Sequence, residues 1–146
     1  EVSDFEFLAG IGGNLKDIVT FNFTGQYNNY KARTQRDKTA WNLPNVRVSL
    51  YTDFKILPNL FTGIDLFYTG ACEDLDYQIG SALPEKISLG GYLDLNFHID
   101  YTFNKNWQVF LKANNLTGQR HENWVYYPSQ SIQAFAGIKY IFKLGE

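Results

Sequence analysis

Residues 93–104 read LDLNFHIDYTFN, with an apolar or aromatic side chain at every odd position and a polar one at every even position. Side chains on a β-strand point alternately to opposite sides. The run therefore puts Leu93, Leu95, Phe97, Ile99, Tyr101 and Phe103 on one surface and Asp94, Asn96, His98, Asp100 and Thr102 on the other. A soluble barrel turns such an apolar face inward, whereas a membrane barrel turns it to lipid and lines a wet interior with the polar face. The same period recurs at Phe5 to Ile11, Val19 to Tyr27, Val46 to Ile56, Leu60 to Tyr68, Trp107 to Ala113 and Ile132 to Phe142. About seven half-apolar strands result, and no stretch carries a convincing helical period.

The links between these strands alternate in length. Residues 12–17, 57–59 and 104–106 are short and turn-like, rich in Gly, Asn, Asp and Pro. Residues 28–45, 70–91 and 116–131 are long. Short turns at one end and long loops at the other describe the two sides of an outer-membrane barrel. An odd strand count puts the two ends of the chain on opposite sides, while bacterial single-chain barrels have even counts. The expectation is an all-β, antiparallel up-and-down transmembrane β-barrel, of which residues 1–146 form the C-terminal portion. An exported chain would then begin after its leader or far inside a precursor, because residue 1 does not open a basic-then-apolar segment.

Composition narrows the function. Aromatics make up 17% of the 146 residues, Met is absent, and apolar residues are interleaved with polar ones. No apolar run approaches the ~20 residues of a membrane helix, yet barrel strands need only ~9 to 11. Basic and acidic residues are mixed, with a formal net charge of −2, so there is no electrostatic footprint for nucleic acid. The single cysteine, Cys72, makes no internal disulfide.

Residues 106–142, NWQVFLKANNLTGQRHENWVYYPSQSIQAFAGIKYIF, resemble the closing hairpin of TonB-dependent outer-membrane receptors. The matching positions are Asn115-Leu116 at the end of a penultimate strand, Tyr127-Pro128 in an aromatic loop, and Gly137 and Phe142 in the last strand. Thr117-Gly118 stands where the family usually has Phe, and Ser129-Gln130-Ser131 replaces its usual Gly-Arg. The resemblance implies a 22-stranded barrel plugged by an N-terminal domain absent from these residues. It also implies uptake of a scarce small-molecule nutrient, driven by an energy-transducing inner-membrane partner that acts through the plug.

Candidate residues follow from the pattern. Asp94, Asn96, His98 and Asp100 are expected to line a hydrated lumen; two such ligands two apart on one strand could hold a metal, but one strand rarely supplies a convergent set. Lys31, Arg33, Arg36 and Lys38, beside Tyr27 and Tyr30, suit lipopolysaccharide phosphates or an anionic substrate, or are a solvated loop. Trp124 and Tyr126 in the last long loop are further ligand candidates. Glu73, Asp74 and Asp76 offer hard oxygens but lack the Gly and spacing of a calcium loop, and His121-Glu122 has no geometry to argue from. Tyr101, Phe103, Trp107, Tyr140 and Phe142 cluster at the short-turn end, as an interfacial girdle against outer-membrane lipid would. No nucleophile–base or paired-carboxylate spacing appears, so neither an enzyme nor a cofactor or metal site is expected. Two rival readings stay open: a soluble lipocalin-like barrel holding an apolar ligand, and a small outer-membrane adhesin or structural barrel.

Overall fold

The computed structural model describes residues 2–32, 39–77 and 83–142. In chain order its strands are β1 (Val2–Leu15), β2 (Val19–Ala32), β3 (Val46–Leu57), β4 (Leu60–Thr69), β5 (Cys72–Asp76), β6 (Glu85–Leu89), β7 (Tyr92–Asn104), β8 (Trp107–Asn114), β9 (Glu122–Trp124), β10 (Tyr127–Pro128) and β11 (Gln133–Tyr140). The seven alternating stretches form one antiparallel sheet in the order β1-β2-β3-β4-β7-β8-β11, each strand beside its predecessor. This is the up-and-down order expected from the sequence. No helix of the described residues is long and apolar enough to cross a membrane.

Several boundaries differ from the sequence reading, three of them by more than one residue in a turn, loop or strand end. Gly12 to Leu15, taken there as turn, continue β1 and pair with Val19 to Asn22. Residues 28–32, taken as loop, continue β2 and pair with Val2 to Glu6. The last strand ends at Tyr140, two residues short of Phe142. Glycine at 12 and 13 and the Asn-Asn-Tyr-Lys run at 28–31 blur the period of two, yet cross-strand pairing carries the ladder through them. The long links 70–91 and 116–131 also hold small two-stranded sheets, β5/β6 and β9/β10.

The short ends are built alike. Lys16 and Asp17 both have positive φ (52° and 54°) and Ile18 N donates to Leu15 O at 3.0 Å, the two-residue turn whose twist suits a hairpin. Each short turn also accepts a bond from the strand beyond it: Lys55 N to Ile18 O, Thr102 N to Asn59 O and Ile141 N to Asn106 O, at 2.7 to 2.8 Å. The turn rim is thereby stitched from hairpin to hairpin.

The register fixes two faces. Phe5, Phe7, Ile11, Phe23, Leu50, Ile64, Leu66, Phe97, Ile99, Leu111 and Ile138 share one face. The other carries Glu6, Asn22, Ser49, Asp53, Asp65, Asn96, His98, Asp100, Lys112 and Lys139. Among the described residues nothing packs on the apolar face: Phe5, Ile11 and Ile138 are each about two-thirds exposed. Among the described residues the buried hydrophobics are Leu89 and Val125, both in the loop layer. A soluble monomer rarely leaves an apolar patch of more than a few hundred Å² open to water, so this face calls for an apolar covering.

Candidate functional site

Two regions of the molecule carry concentrated polar chemistry: the polar face of the sheet and the layer formed by the long loops.

On the polar face, pairing aligns Thr20, Asp53, Gly63, His98, Lys112 and Phe135 in one row across β2, β3, β4, β7, β8 and β11. His98 Nε2 lies 3.0 Å from Asp53 Oδ1. The two residues are on strands separated by β4, a span of ~9.6 Å at two inter-strand steps. They meet because the intervening residue is Gly63, where a Cβ would collide with the His98 ring and stand 2.6 Å from the Thr52 carbonyl oxygen. One row toward the turn rim, Gln108 Nε2 donates to Asp100 Oδ1 at 3.3 Å, and the Phe110 ring covers Gly137. The concavity bounded by these side chains, with Lys55 and Lys139, measures about 1170 Å³. Its wall mixes both charge signs, which suits a hydrated passage or a polar partner.

The sequence candidates for this face are thus all placed together on β7: Asp94, Asn96, His98 and Asp100. Asn96 has a further task, accepting from Asn115 N at 2.9 Å. The partners that reasoning from one strand missed are Asp53, Gly63 and Lys112, whose proximity depends on the register of three other strands. Among the described residues no three His, Cys, Asp or Glu side chains stand close enough to hold a metal ion.

The loop layer is organised around Asp74 on β5. Asn42 Nδ2 and Leu75 N donate to its Oδ1 at 2.9 and 2.8 Å, and Val125 N donates to its Oδ2 at 2.8 Å. One carboxylate therefore joins all three long loops. Burial alone would raise its pKa, but the bonds from Val125, Leu75 and Asn42 outweigh burial and hold the carboxyl below its ordinary value. Asp76 accepts from Tyr126 Oη at 2.7 Å, and this hydrogen bond pushes the Tyr126 phenol upward. Glu73 pairs with Lys86 at 3.5 Å, and its carbonyl accepts from Asn42 N at 2.8 Å. The three acids weighed as cation ligands are thus each engaged by protein donors. Burial and the charges of Asp74 and Glu73 raise the Cys72 thiol.

Behind this hub His121 stacks on Tyr92 at 3.3 Å between ring centroids and pairs through Nδ1 with Ser129 Oγ at 3.0 Å. Burial lowers its pKa. Asn115, buried and at φ 51°, donates from Nδ2 to the carbonyls of Gln119 and Gln130, both at 2.9 Å, and accepts from Thr117 Oγ1 at 2.9 Å. Thr117 Oγ1 also lies 2.9 Å from Leu93 O, and Gly118 takes the left-handed φ of 66°. The Asn-Leu signature is a rivet that closes the last loop onto β7 and β8.

On this frame Trp124, Tyr126 and Tyr127 project outward, 57% to 72% exposed. Lys31 lies at the loop end of β2, paired in register with Ser3. Arg33, Arg36 and Lys38 lie outside the described residues. At the opposite rim the aromatics form a chain of contacts: Phe103 to Trp107 at 6.3 Å, Trp107 to Tyr140 at 4.7 Å and Tyr140 to Phe142 at 4.6 Å. Tyr101 stands on the same apolar face, between Leu60 and Val109.

No protein-family profile matches the chain, and no curated protein matches it in sequence. Solved structures do match in shape. The pyoverdine outer membrane receptor FpvA of Pseudomonas aeruginosa PAO1, bound to pyoverdine, aligns over 97% of this chain at a TM-score of 0.82 and 16% identity. The siderophore receptor PiuA of Acinetobacter baumannii aligns over 95% at 0.74 and 19%. The ferric-catecholate import receptor Fiu of E. coli K12 aligns over 92% at 0.76 and 15%. The fold is that of TonB-dependent receptor barrels. The chain spans about a fifth of these receptors, 22%, 22% and 20% of their respective lengths.

Proposed function

We propose that this chain supplies wall strands, at the C-terminal end, of an outer-membrane receptor barrel of the TonB-dependent type. The barrel admits a scarce small-molecule nutrient through its polar lumen, with metal-chelating siderophores as the substrate class suggested by its structural neighbours. Further strands of the same polypeptide would pair with β1 and β11, the two sheet edges that have a neighbour on one side only. Open edges are not tolerated in hydrocarbon, where each unpaired backbone group costs several kcal/mol. By the same resemblance, energy for uptake would come from an inner-membrane partner acting on a plug, and lipid with lipopolysaccharide would surround the wall. The protein acts by passage and binding, not by catalysis.

The observation that carries this reading is the seven-stranded sheet with one largely apolar face, no layer over it among the described residues, and described parts of all three long loops joined through Asp74. It disfavours a lipocalin-like barrel, which would turn its apolar face inward around a ligand, because here the charged and amide side chains gather on the concave face and the larger share of the aliphatic and aromatic ones lies on the opposite face. Uptake in cells is the test. A strain lacking the full-length protein should lose growth on one or a few ferric siderophores as sole iron source. Trp124→Ala with Tyr126→Ala should reduce that growth at unchanged surface abundance. Full growth of the deletion strain on every iron chelate and nutrient tried would contradict the receptor reading.

A further inference from the structure

A strand edge in the loop layer is left open. β6 belongs to a two-stranded sheet in which β5 is its one neighbour. On β5 the Glu73 carbonyl accepts from Asn42 N, and Leu75 N donates to the Asp74 carboxylate, so the backbone groups of Glu73 and Leu75 point away from β6. Residues that face each other across an antiparallel pair turn their N–H and C=O either both toward the partner or both away. Glu73 faces Ser88 and Leu75 faces Lys86. The N–H and C=O of Ser88 and of Lys86 therefore point away from β5. Among the described residues none of these four groups has a hydrogen-bond partner, and Glu85 to Ser88 are exposed.

The edge runs into a groove. Where the chain leaves β6 through Gly90 and Gly91, a space of about 510 Å³ lies between it and residues 119–122. A Cβ built on Gly90 meets no atom within 4 Å, so the way from edge to groove is unobstructed there. Arg120 and Glu122 are the charged side chains of the wall. Glu122 Oε2 accepts from Tyr126 N at 3.4 Å, whereas Arg120 makes no ion pair among the described residues. The unmatched charge of the groove is thus positive.

These features select one kind of occupant. Donor and acceptor recur together at every second residue of the edge, ~7 Å apart, and the ligand that repeats this spacing is another extended polypeptide. Arg120 adds a preference for a carboxylate, which its planar guanidinium can meet with two bonds. We propose that an extended segment of an external protein pairs with β6 as an added strand and sets an acidic side chain against Arg120. The side from which that protein arrives rests on the receptor reading above, which puts the long loops outside the cell. The pairing itself does not.

The test selects a random library of nine-residue peptides on the full-length protein in detergent. Binders should be rich in β-branched residues and carry Asp or Glu. Methylating the backbone nitrogens of one alternate set of residues should weaken a selected peptide about tenfold, the effect of one or two hydrogen bonds, while the other set is tolerated. Ser88→Pro removes an outward N–H at an edge position that accommodates proline and should weaken binding by a similar factor. Arg120→Gln should weaken acidic peptides and spare their amide counterparts. No selected peptide, equal effects of both methylation sets, or equal loss of acidic and amide peptides with Arg120→Gln would overturn the site. If Ser88→Pro does not assemble, the methylation series decides. A dimer of the full-length protein that Ser88→Pro dissociates would assign the edge to a second copy and overturn the peptide site. Fluorescent peptide added to intact cells separates the two levels. Binding to the purified protein but not to cells would overturn the outward placement of the loops and not the pairing.

Discussion

Replacing Asp74 with Ala removes, in one substitution, the acceptor that ties the loop bearing Asn42 and the loop bearing Val125 to the β5 hairpin. A hydrogen bond to a charged acceptor contributes about 1.5 to 3 kcal/mol. Both inter-loop bonds are only part-buried, so the lower end applies, and the pair sums to about 3 kcal/mol. At ~1.4 kcal/mol per factor of ten, opening of the loop layer should become about a hundredfold more frequent. Amide hydrogen exchange reads this directly, because Val125 N–H is itself the donor to Asp74. In Asp74→Ala that amide should exchange about a hundredfold faster, while amides of β4 and β7 keep their protection. Asp74→Asn, which keeps one acceptor oxygen, should fall between. Acid should imitate the substitution. The folded carboxyl lies below its ordinary value of 3.8, so its contribution is complete above about pH 4 to 5 and is lost as pH falls through the folded pKa. Unchanged protection at Val125, or loosening of sheet and loops alike, would refute the hub.

Other expectations follow from the faces and rims. Phe97→Arg puts a charge on the outward face at a cost of about 2 to 4 kcal/mol near the bilayer midplane, so it should cut the yield of assembled barrel far more than Asn96→Arg, as read by heat-modifiable mobility on gels. Tyr140→Ala with Phe142→Ala should lower membrane insertion while synthesis and export continue, whereas Trp124→Ala with Tyr126→Ala should leave insertion intact; cell fractionation with surface proteolysis distinguishes them. Asn115→Ala gives up three side-chain hydrogen bonds at a buried position, about 2 to 4 kcal/mol, and should make residues 116–131 the first site of proteolytic nicking. Gly63→Val should separate Asp53 from His98 and disturb β4, visible as a lower unfolding midpoint in detergent.

Much of this architecture was legible in the sequence because a strand buried on one side writes its period of two directly into residue type. The stretch at 93–104 shows it without exception, and all seven sheet strands were found that way. Turn chemistry located the short rim, although Gly12 and Gly13 looked like turn and proved to be strand, since ladder bonds do not depend on side chains. The hairpins at β5/β6 and β9/β10 are too short for a period to register. Site geometry was less accessible still. Asp53 and His98 are 45 residues apart and meet only through the register of an intervening strand and a glycine at the crossing point. Asp74 stood out only as one of three nearby acids, and its actual partners, Asn42 and Val125, lie on two other loops. A pattern along one chain reports which face a residue takes, not which distant residue it will face.

The central claim is that the apolar face of the sheet meets lipid and the polar face meets water. Site-directed spin labels at positions 96 and 97 of the full-length protein, in lipid bilayers, test it most directly, because adjacent residues of β7 point to opposite faces. The account predicts that the label at 97 relaxes with dissolved oxygen and resists a water-soluble nickel chelate, and that the label at 96 does the reverse. Equal accessibility of both labels to the nickel chelate, or a label at 97 shielded from both reagents within a packed protein core, would contradict it.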